Sequence, residues 1–160
     1  MEFVREKVDE ECIADQCSKE GCRVNIARQL EPYLLIDMDS EESPAPKQGK
    51  RCDYLFLSDP ERGPRWIVPM ELQQGSPEAE KILPQLQAGA RIAEEITPQD
   101  LDRSNAKFRP VVAYGKDKQM TRRESNRFKR KNVSFRDRRE PVRFMRCGER
   151  LTKSRLENPS

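Results

Sequence analysis

The sequence predicts an α/β domain with a mixed sheet, in the order helix, three strands, helix, strand. Three observations predict this class: short apolar runs bounded by Pro, Gly and Asp, one long amphipathic segment after the third run, and another apolar run beyond it. The chain has 160 residues, enough for one domain with a hydrophobic core, although 37% of them are charged. We therefore expect a small core with polar segments at its ends.

The first half of the chain predicts one helix and three strands. The helix covers residues 3–14, with a weak apolar stripe on Phe3, Val4, Val8 and Cys12. The strands are expected at residues 33–38, 52–58 and 65–72, where aromatic and β-branched residues are enriched. A polar, Pro-containing loop joins the first two strands and a Pro/Gly turn joins the second to the third, so the three should form an antiparallel meander.

A long helix and a fourth strand complete the predicted core. The apolar stripe covers residues 78–96, with Ser76 as the expected N-cap, although Pro84 conflicts with an unbroken helix. Residues 110–114 read as a strand that follows this helix, so it should run parallel to a core strand through a crossover. The core domain is thereby expected to span residues 1–115.

Residues 116–160 are predicted to form a basic C-terminal extension. Residues 101–160 hold 19 Lys and Arg against 7 Asp and Glu, whereas the first 100 residues hold 12 against 21. Residues 121–131 favour a short basic helix, and residues 132–146 favour a hairpin that pairs 133–136 with 141–145. Such an excess of positive charge indicates a polyanionic partner, and a solvated basic tail is the alternative.

The residue inventory excludes several chemistries. The chain has no histidine, which removes Cys/His zinc fingers and Ser-His-Asp triads. Cysteines at 12, 17 and 22 lack a tight Cys-x2–4-Cys pair, so their spacing argues against zinc or an iron–sulfur cluster. Free thiols in the core are the expected state of all five cysteines.

One pattern of residues carries the functional prediction. Asp53 opens the second predicted strand, Glu71 closes the third, and Gln73 follows two residues later on the same face. This pattern resembles the active-site motif of the PD-(D/E)XK nuclease superfamily, with Cys52 in place of the proline and Gln73 in place of the lysine. The resemblance implies a restriction-endonuclease-like core in αβββαβ order.

The resemblance also implies a set of site residues. Asp53, Glu71 and the carbonyl of Leu72 would ligate Mg²⁺ or Mn²⁺, and Gln73 would take the position of the catalytic lysine. The missing lysine charge has two possible remedies: the site tolerates Gln73, or Lys81 reaches into it from the helix. The third interpretation is that the site has decayed and only the binding surface remains. Further candidates are Gln85, as a polar contact to the site, and either Glu10 or Glu11, as a third acidic ligand. For these two glutamates the sequence favours the alternative, a solvated helix face.

The predicted function is that of a metal-dependent nuclease-like protein, an Mg²⁺-dependent endonuclease if it is an enzyme. The alternative is a catalytically decayed scaffold that binds nucleic acid or a protein. Phosphate contacts are expected from the basic helix, at Arg122, Arg123, Arg127, Lys129, Arg130 and Lys131.

The sequence predicts a cytoplasmic protein without a membrane partner. No run reaches the apolar length that spans a bilayer, and Met1–Arg5 lacks the apolar core of a signal peptide. The oligomeric state is left open, a homodimer included.

Overall fold

The structure, a computed structural model, describes residues 1–101 and 105–158. Its strands are β1 Cys17–Lys19, β2 Cys22–Ile26, β3 Tyr33–Asp37, β4 Tyr54–Ser58, β5 Arg65–Leu72, β6 Ala106–Phe108, β7 Val111–Tyr114, β8 Val133–Phe135, β9 Arg138–Glu140, β10 Arg143–Arg146 and β11 Arg150–Leu151. Its α-helices are α1 Glu2–Lys7, α2 Ala79–Ile96, α3 Arg122–Arg130 and α4 Lys153–Glu157.

A six-stranded mixed sheet forms the centre of the fold. Its order is β10-β7-β5-β4-β3, with β6 also paired to β5. Strands β3, β4 and β5 form the predicted antiparallel meander, and β7 runs parallel to β5, as the crossover through α2 predicts. The α/β class, the mixed sheet and the placement of the four predicted core strands in it are thus confirmed.

The two faces of the central sheet are covered by different elements. Helix α2 packs on one face, where Ile82, Leu86 and Ala90 join Leu55 and Ile67 in a buried cluster. Pro84 lies inside α2 but faces solvent, so its missing N–H does not stop the helix. The other face is covered by a small sheet of order β1-β2-β11, whose buried residues pack with Phe56, Trp66 and Val68.

The basic extension is built into the central sheet. Strand β10 pairs in parallel with β7, so residues 143–146 continue the sheet instead of pairing with residues 133–136. The hairpin is formed by β8 and β9, which pair antiparallel across a turn at Arg136, a residue with positive φ. The predicted pairing was wrong because parallel burial against β7 competes with a local hairpin for the apolar residues of 142–145.

Two helix ends also differ from the prediction. Helix α1 ends at Lys7, and Glu10–Cys12 form a separate 3-10 turn. Helix α2 begins at Ala79, whose N–H donates to Glu124 Oε2 at 2.7 Å, while Ser76 Oγ donates to the Gln119 carbonyl at 2.9 Å. A carboxylate from α3 therefore takes the capping role expected of Ser76.

Two of the five cysteines are not free thiols. Cys22 and Cys147 form a disulfide across a sequence separation of 125 residues, with their Cα atoms 4.9 Å apart. It joins the small sheet to the end of β10. Cys12, Cys17 and Cys52 are free and buried. Among the described residues, no helix combines the length and the apolar character that crossing a bilayer requires.

Candidate functional site

Asp53 and Glu71 meet at one end of the central sheet. The pairing of β4 with β5 extends to Tyr54 and Met70, so Asp53 and Glu71 each lie one residue beyond this last pair. The Asp53 N–H donates to the Met70 carbonyl at 3.0 Å, and the Leu72 N–H donates to Asp53 Oδ2 at 2.8 Å. The Asp53 carboxyl group acts directly on that of Glu71, through its charge and through a hydrogen bond between the two side chains. The two carboxyl groups therefore share one space.

Burial makes this an unusual acid pair. Asp53 is 3% exposed and Glu71 is 5% exposed. Burial, and then the charge of Asp53, raise the pKa of Glu71 to about 9. Burial also raises the pKa of Asp53, against the opposing effects of the Leu72 N–H and the Lys19 ammonium. At neutral pH Glu71 therefore holds a proton, and the two donors to Asp53 favour the charged form of that carboxyl group.

One oxygen of the pair is left without a partner. Glu71 Oε1 is buried and accepts no hydrogen bond from any described residue. Buried oxygens without partners are rare, because each forfeits its bonds to water. An oxygen in this state, beside an ionised carboxylate, is available to a ligand that carries positive charge.

Lys19 supplies the positive charge of the site. Its Nζ forms an ion pair with Asp53 Oδ1 and lies 2.7 Å from Asp39 Oδ2, while Arg51 Nε lies 3.0 Å from Asp39 Oδ1. Partial burial lowers the pKa of Lys19, but the hydrogen bonds to the two aspartates outweigh it and leave the pKa raised. Lys19 is therefore charged at any pH at which the protein is folded under ordinary conditions.

The β1–β2 hairpin places Lys19 in the site. Lys19 is the last residue of β1, and the turn after it consists of Glu20 and Gly21, with φ of 47° and 82°. Two successive positive φ values are typical of the tight hairpin turn that matches strand twist. The Tyr54 hydroxyl donates to the Ser18 carbonyl at 2.7 Å, which ties this hairpin to the start of β4.

Sequence reasoning missed Lys19. A local signal existed, because Gly21 stands beside alternating apolar residues at Cys22, Val24 and Ile26, a hairpin pattern. That pattern predicts the hairpin but not its docking over Asp53, which is 34 residues away in sequence. The positive charge therefore comes from a region where the sequence analysis predicted no helix or strand.

The residues expected to compensate for the missing lysine make other contacts. The Gln73 amide donates to the Gly75 carbonyl at 3.5 Å, and its backbone N–H donates to the Ala113 carbonyl at 3.0 Å. Lys81 is 74% exposed and lies 3.5 Å from Glu78 in an ion pair along α2. Gln85 is half-buried on the same helix.

The candidate third acids lie at the surface. Glu10 and Glu11 are both exposed in the 3-10 turn, and repulsion from Glu42 and then Asp9 raises the pKa of Glu11. Over the described ranges, no group of three or more His, Cys, Asp or Glu side chains is arranged to hold a metal ion. Of the three cysteines weighed as ligands, Cys22 is consumed by the disulfide, and Cys12 and Cys17 belong to different buried clusters.

The predicted basic helix exists as α3. Phe128 anchors it in the core, and it begins beside the loop that leads from β5 to α2, where Glu124 caps α2. A groove of ≈ 770 Å³ separates α3 from α2. Arg127, Arg130 and Lys131 line this groove, while Arg122, Arg123 and Lys129 are exposed.

No protein-family model, curated protein or solved structure matches this chain.

Proposed function

We propose that this protein is a metal-dependent nuclease with a restriction-endonuclease-like core, hydrolysing phosphodiesters at Asp53, Glu71 and Lys19. The observation that carries the proposal is the meeting of two buried carboxyl groups from adjacent strands with one ammonium group. The element order α1, β3, β4, β5, α2, β7 supports it, because it agrees with the order that the superfamily resemblance implies.

The donor set suits Mg²⁺ or Mn²⁺. Asp53 and Glu71 offer hard oxygens, Glu71 Oε1 lacks a partner, and the Leu72 carbonyl follows directly along the strand. Magnesium is commonly held by one or two carboxylates, with water and substrate phosphate completing its shell. A cluster of three acids is therefore not required.

Each side chain has a defined task in this proposal. A bound divalent cation polarises the phosphate and lowers the pKa of an attacking water. Asp53 and Glu71 would hold the cation, and Glu71 would have to give up its proton to serve as a ligand. Lys19 stands where its charge offsets negative charge that develops on the phosphate, which is the part that Gln73 cannot perform.

The partner in this proposal is nucleic acid, held in part by α3. Its five cationic side chains, and Lys131 directly after it, are exposed or line the groove beside α2, and the helix begins next to the loop after Glu71. Contacts to phosphate release counterions, so affinity should fall steeply with salt. Deleting residues 116–160 is not a sound test, because it would remove β10 from the central sheet and Cys147 from the disulfide.

The test uses the full chain with single- and double-stranded DNA and RNA, in Mg²⁺ or Mn²⁺. We expect cleavage by the wild type, its loss in Glu71→Gln, and a decrease on the order of 10²-fold in Lys19→Met. Lys50→Met is the matched control, because Lys50 is exposed in the loop between β3 and β4. Adding Gln73→Lys to Lys19→Met should recover part of the activity.

Metal binding is tested separately from cleavage. Calorimetric titration with Mg²⁺ in buffers of different ionisation enthalpy should show release of about one proton per ion at neutral pH, because Glu71 must ionise. Glu71→Gln should abolish this release. Absence of both metal binding and cleavage in the wild type would show that the enzyme function is wrong.

A second candidate function is a binding scaffold without catalysis. The ion pair of Lys19 with Asp53 favours this function, because the lysine already neutralises the carboxylate that a metal cation would otherwise neutralise. In that case, nucleic-acid affinity would persist in chelator and would not change with Glu71→Gln.

The cytoplasmic location belongs to the same proposal. Disulfides are rare in that compartment, where the thiol pool would keep Cys22 and Cys147 reduced. Trapping of free thiols in intact cells, followed by mass spectrometry, reports this directly: reduced Cys22 and Cys147 agree with the cytoplasm, and a persistent disulfide contradicts it.

A further inference from the structure

A second concave surface lies next to the acid pair. Strands β5, β7 and β10 are parallel, so their carboxyl ends meet at one edge of the central sheet. A groove of ≈ 390 Å³ opens at this edge and is lined by residues that follow these strands, together with the β1–β2 turn. Ligands of open α/β sheets commonly bind outside the carboxyl ends of parallel strands.

The groove carries positive charge that no ion pair among the described residues neutralises. Arg23, Lys116 and Lys118 line it with exposed side chains, and none of the three has a recorded ion pair within the described ranges. Asp117 is the acidic residue among the lining residues. Unpaired cations gathered in a concavity attract an anion more strongly than the same cations on a flat surface.

The groove is a rigid feature of the backbone. The Arg146 guanidinium lies 4.0 Å from the centre of the Tyr114 ring, and it donates to the Gly115 carbonyl at 3.0 Å and to the Lys118 carbonyl. A Cβ at Gly115 would lie 1.8 Å from the Gln74 carbonyl oxygen, so the close approach of the two loops requires glycine there. The loop that presents Lys116 and Lys118 is therefore held in place.

The groove lies close to the candidate active site along the chain. Gln74 lines the groove three residues after Glu71, a distance on the order of 10 Å along an extended chain. Cys147 Sγ contacts the Gln73 carbonyl at 3.4 Å. The hairpin that brings Lys19 to Asp53 also brings Arg23 to the groove, on the next strand. A polymer bound at the acid pair would continue into this groove.

We propose that this groove binds a backbone phosphate of the nucleic-acid strand, next to the phosphate that is cleaved at Asp53 and Glu71. The inference rests on the proposed nuclease function and adds a strand path to it. Arg23, Lys116 and Lys118 neutralise that phosphate, and the size of the groove suits one sugar–phosphate unit. The strand would thus lie along the carboxyl ends of β5, β7 and β10.

The experiment measures binding without cleavage. The full-length chain is titrated, in EDTA, against fluorescent single-stranded DNA and RNA oligonucleotides at several salt concentrations. The triple variant Arg23→Ala, Lys116→Ala, Lys118→Ala is compared with the control Lys47→Ala, Lys50→Ala, Arg62→Ala, which removes the same charge from exposed positions elsewhere. Urea unfolding checks that both variants are folded.

We expect the groove variant to bind on the order of tenfold more weakly at low salt. Its plot of log affinity against log salt should be shallower by at least about 0.7, the contribution of one phosphate contact to a single strand. The control variant should keep the wild-type slope. Equal losses in the two variants, no binding by the wild type, or equally tight competition by polyglutamate would overturn the proposal.

The outcomes separate this inference from the nuclease function. Cleavage that needs Glu71, with no effect of the groove variant on affinity, would refute the groove alone. No cleavage by the wild type, with weaker binding by the groove variant, would refute the nuclease and leave the groove as a nucleic-acid contact.

Discussion

The central sheet and the small β1–β2–β11 sheet contribute to the same site in different ways. Strands β4 and β5 are buried along nearly their whole length, and ladder hydrogen bonds on both sides hold β5. The small sheet has strands of two to five residues, and exposed residues alternate with buried ones in it. The first region carries the acids and the second carries the lysine.

The acid pair is therefore held rigidly, whereas the position of Lys19 can change. The acids directly follow the last paired residues of β4 and β5, and the backbone ladder of these strands holds them in place. Lys19 depends instead on a few long-range ties: the Cys22–Cys147 disulfide, the Tyr54–Ser18 hydrogen bond and the pairing of β2 with β11. Loss of these ties should therefore move the lysine while the acid pair stays in place.

Among the substitutions, removing the disulfide should produce the largest effect. Cys22→Ala with Cys147→Ala should lower the free energy of unfolding by about 2–5 kcal/mol, because the crosslink closes a long loop in the unfolded chain. Urea unfolding under oxidising conditions measures this loss. The double variant should not respond to a dithiol reductant, whereas the wild type should lose stability in it. A wild type that is unchanged by reduction would show that the small sheet is held without the crosslink.

The pH dependence of stability tests the acid pair. Between pH 4.5 and about 9 the folded protein binds one more proton than the unfolded chain, at Glu71. The contribution of Glu71 to stability should thus be full below pH 4.5 and fall by about 1.4 kcal/mol per pH unit through this window. Urea unfolding at several pH values measures it, and Glu71→Gln should flatten the profile. A profile that rises with pH here would contradict a protonated Glu71.

Removing the lysine should have a smaller effect on stability. Lys19→Met leaves the Asp53 carboxylate without its ion pair, at a cost of about 1–2 kcal/mol once partial solvent screening of Lys19 is counted. Thermal unfolding measures the loss beside Lys50→Met, which should cost nothing. If the two variants lose equal stability, Lys19 does not support the acid pair.

The weakest tie is the hydrogen bond between the two regions. Tyr54→Phe removes the donor to the Ser18 carbonyl and should cost about 1 kcal/mol of unfolding free energy. Hydrogen exchange of the β1 amides should increase in this variant, while exchange in β5 stays unchanged. Equal increases in both strands would mean that the two sheets do not open separately.

Much of the central sheet follows from local sequence. Residues 33–38, 52–58, 65–72 and 110–114 were each predicted as strands because apolar runs between Pro, Gly and Asp have few alternatives. Asp53 and Glu71 could be placed at adjacent strand ends for the same reason, since the turn at 59–64 sets the register of the two strands.

Only the tertiary structure decided the remaining features. Lys19, Cys147 and Arg23 reach the site region through pairings whose partners lie far away in sequence. Residues 143–146 joined β7 instead of a local hairpin, and Glu124 replaced Ser76 as the cap of α2. In each case a local preference of about 1 kcal/mol competes with burial and long-range bonding that are worth more. Local pattern determines which residues form strands, and packing between distant segments determines which charges meet.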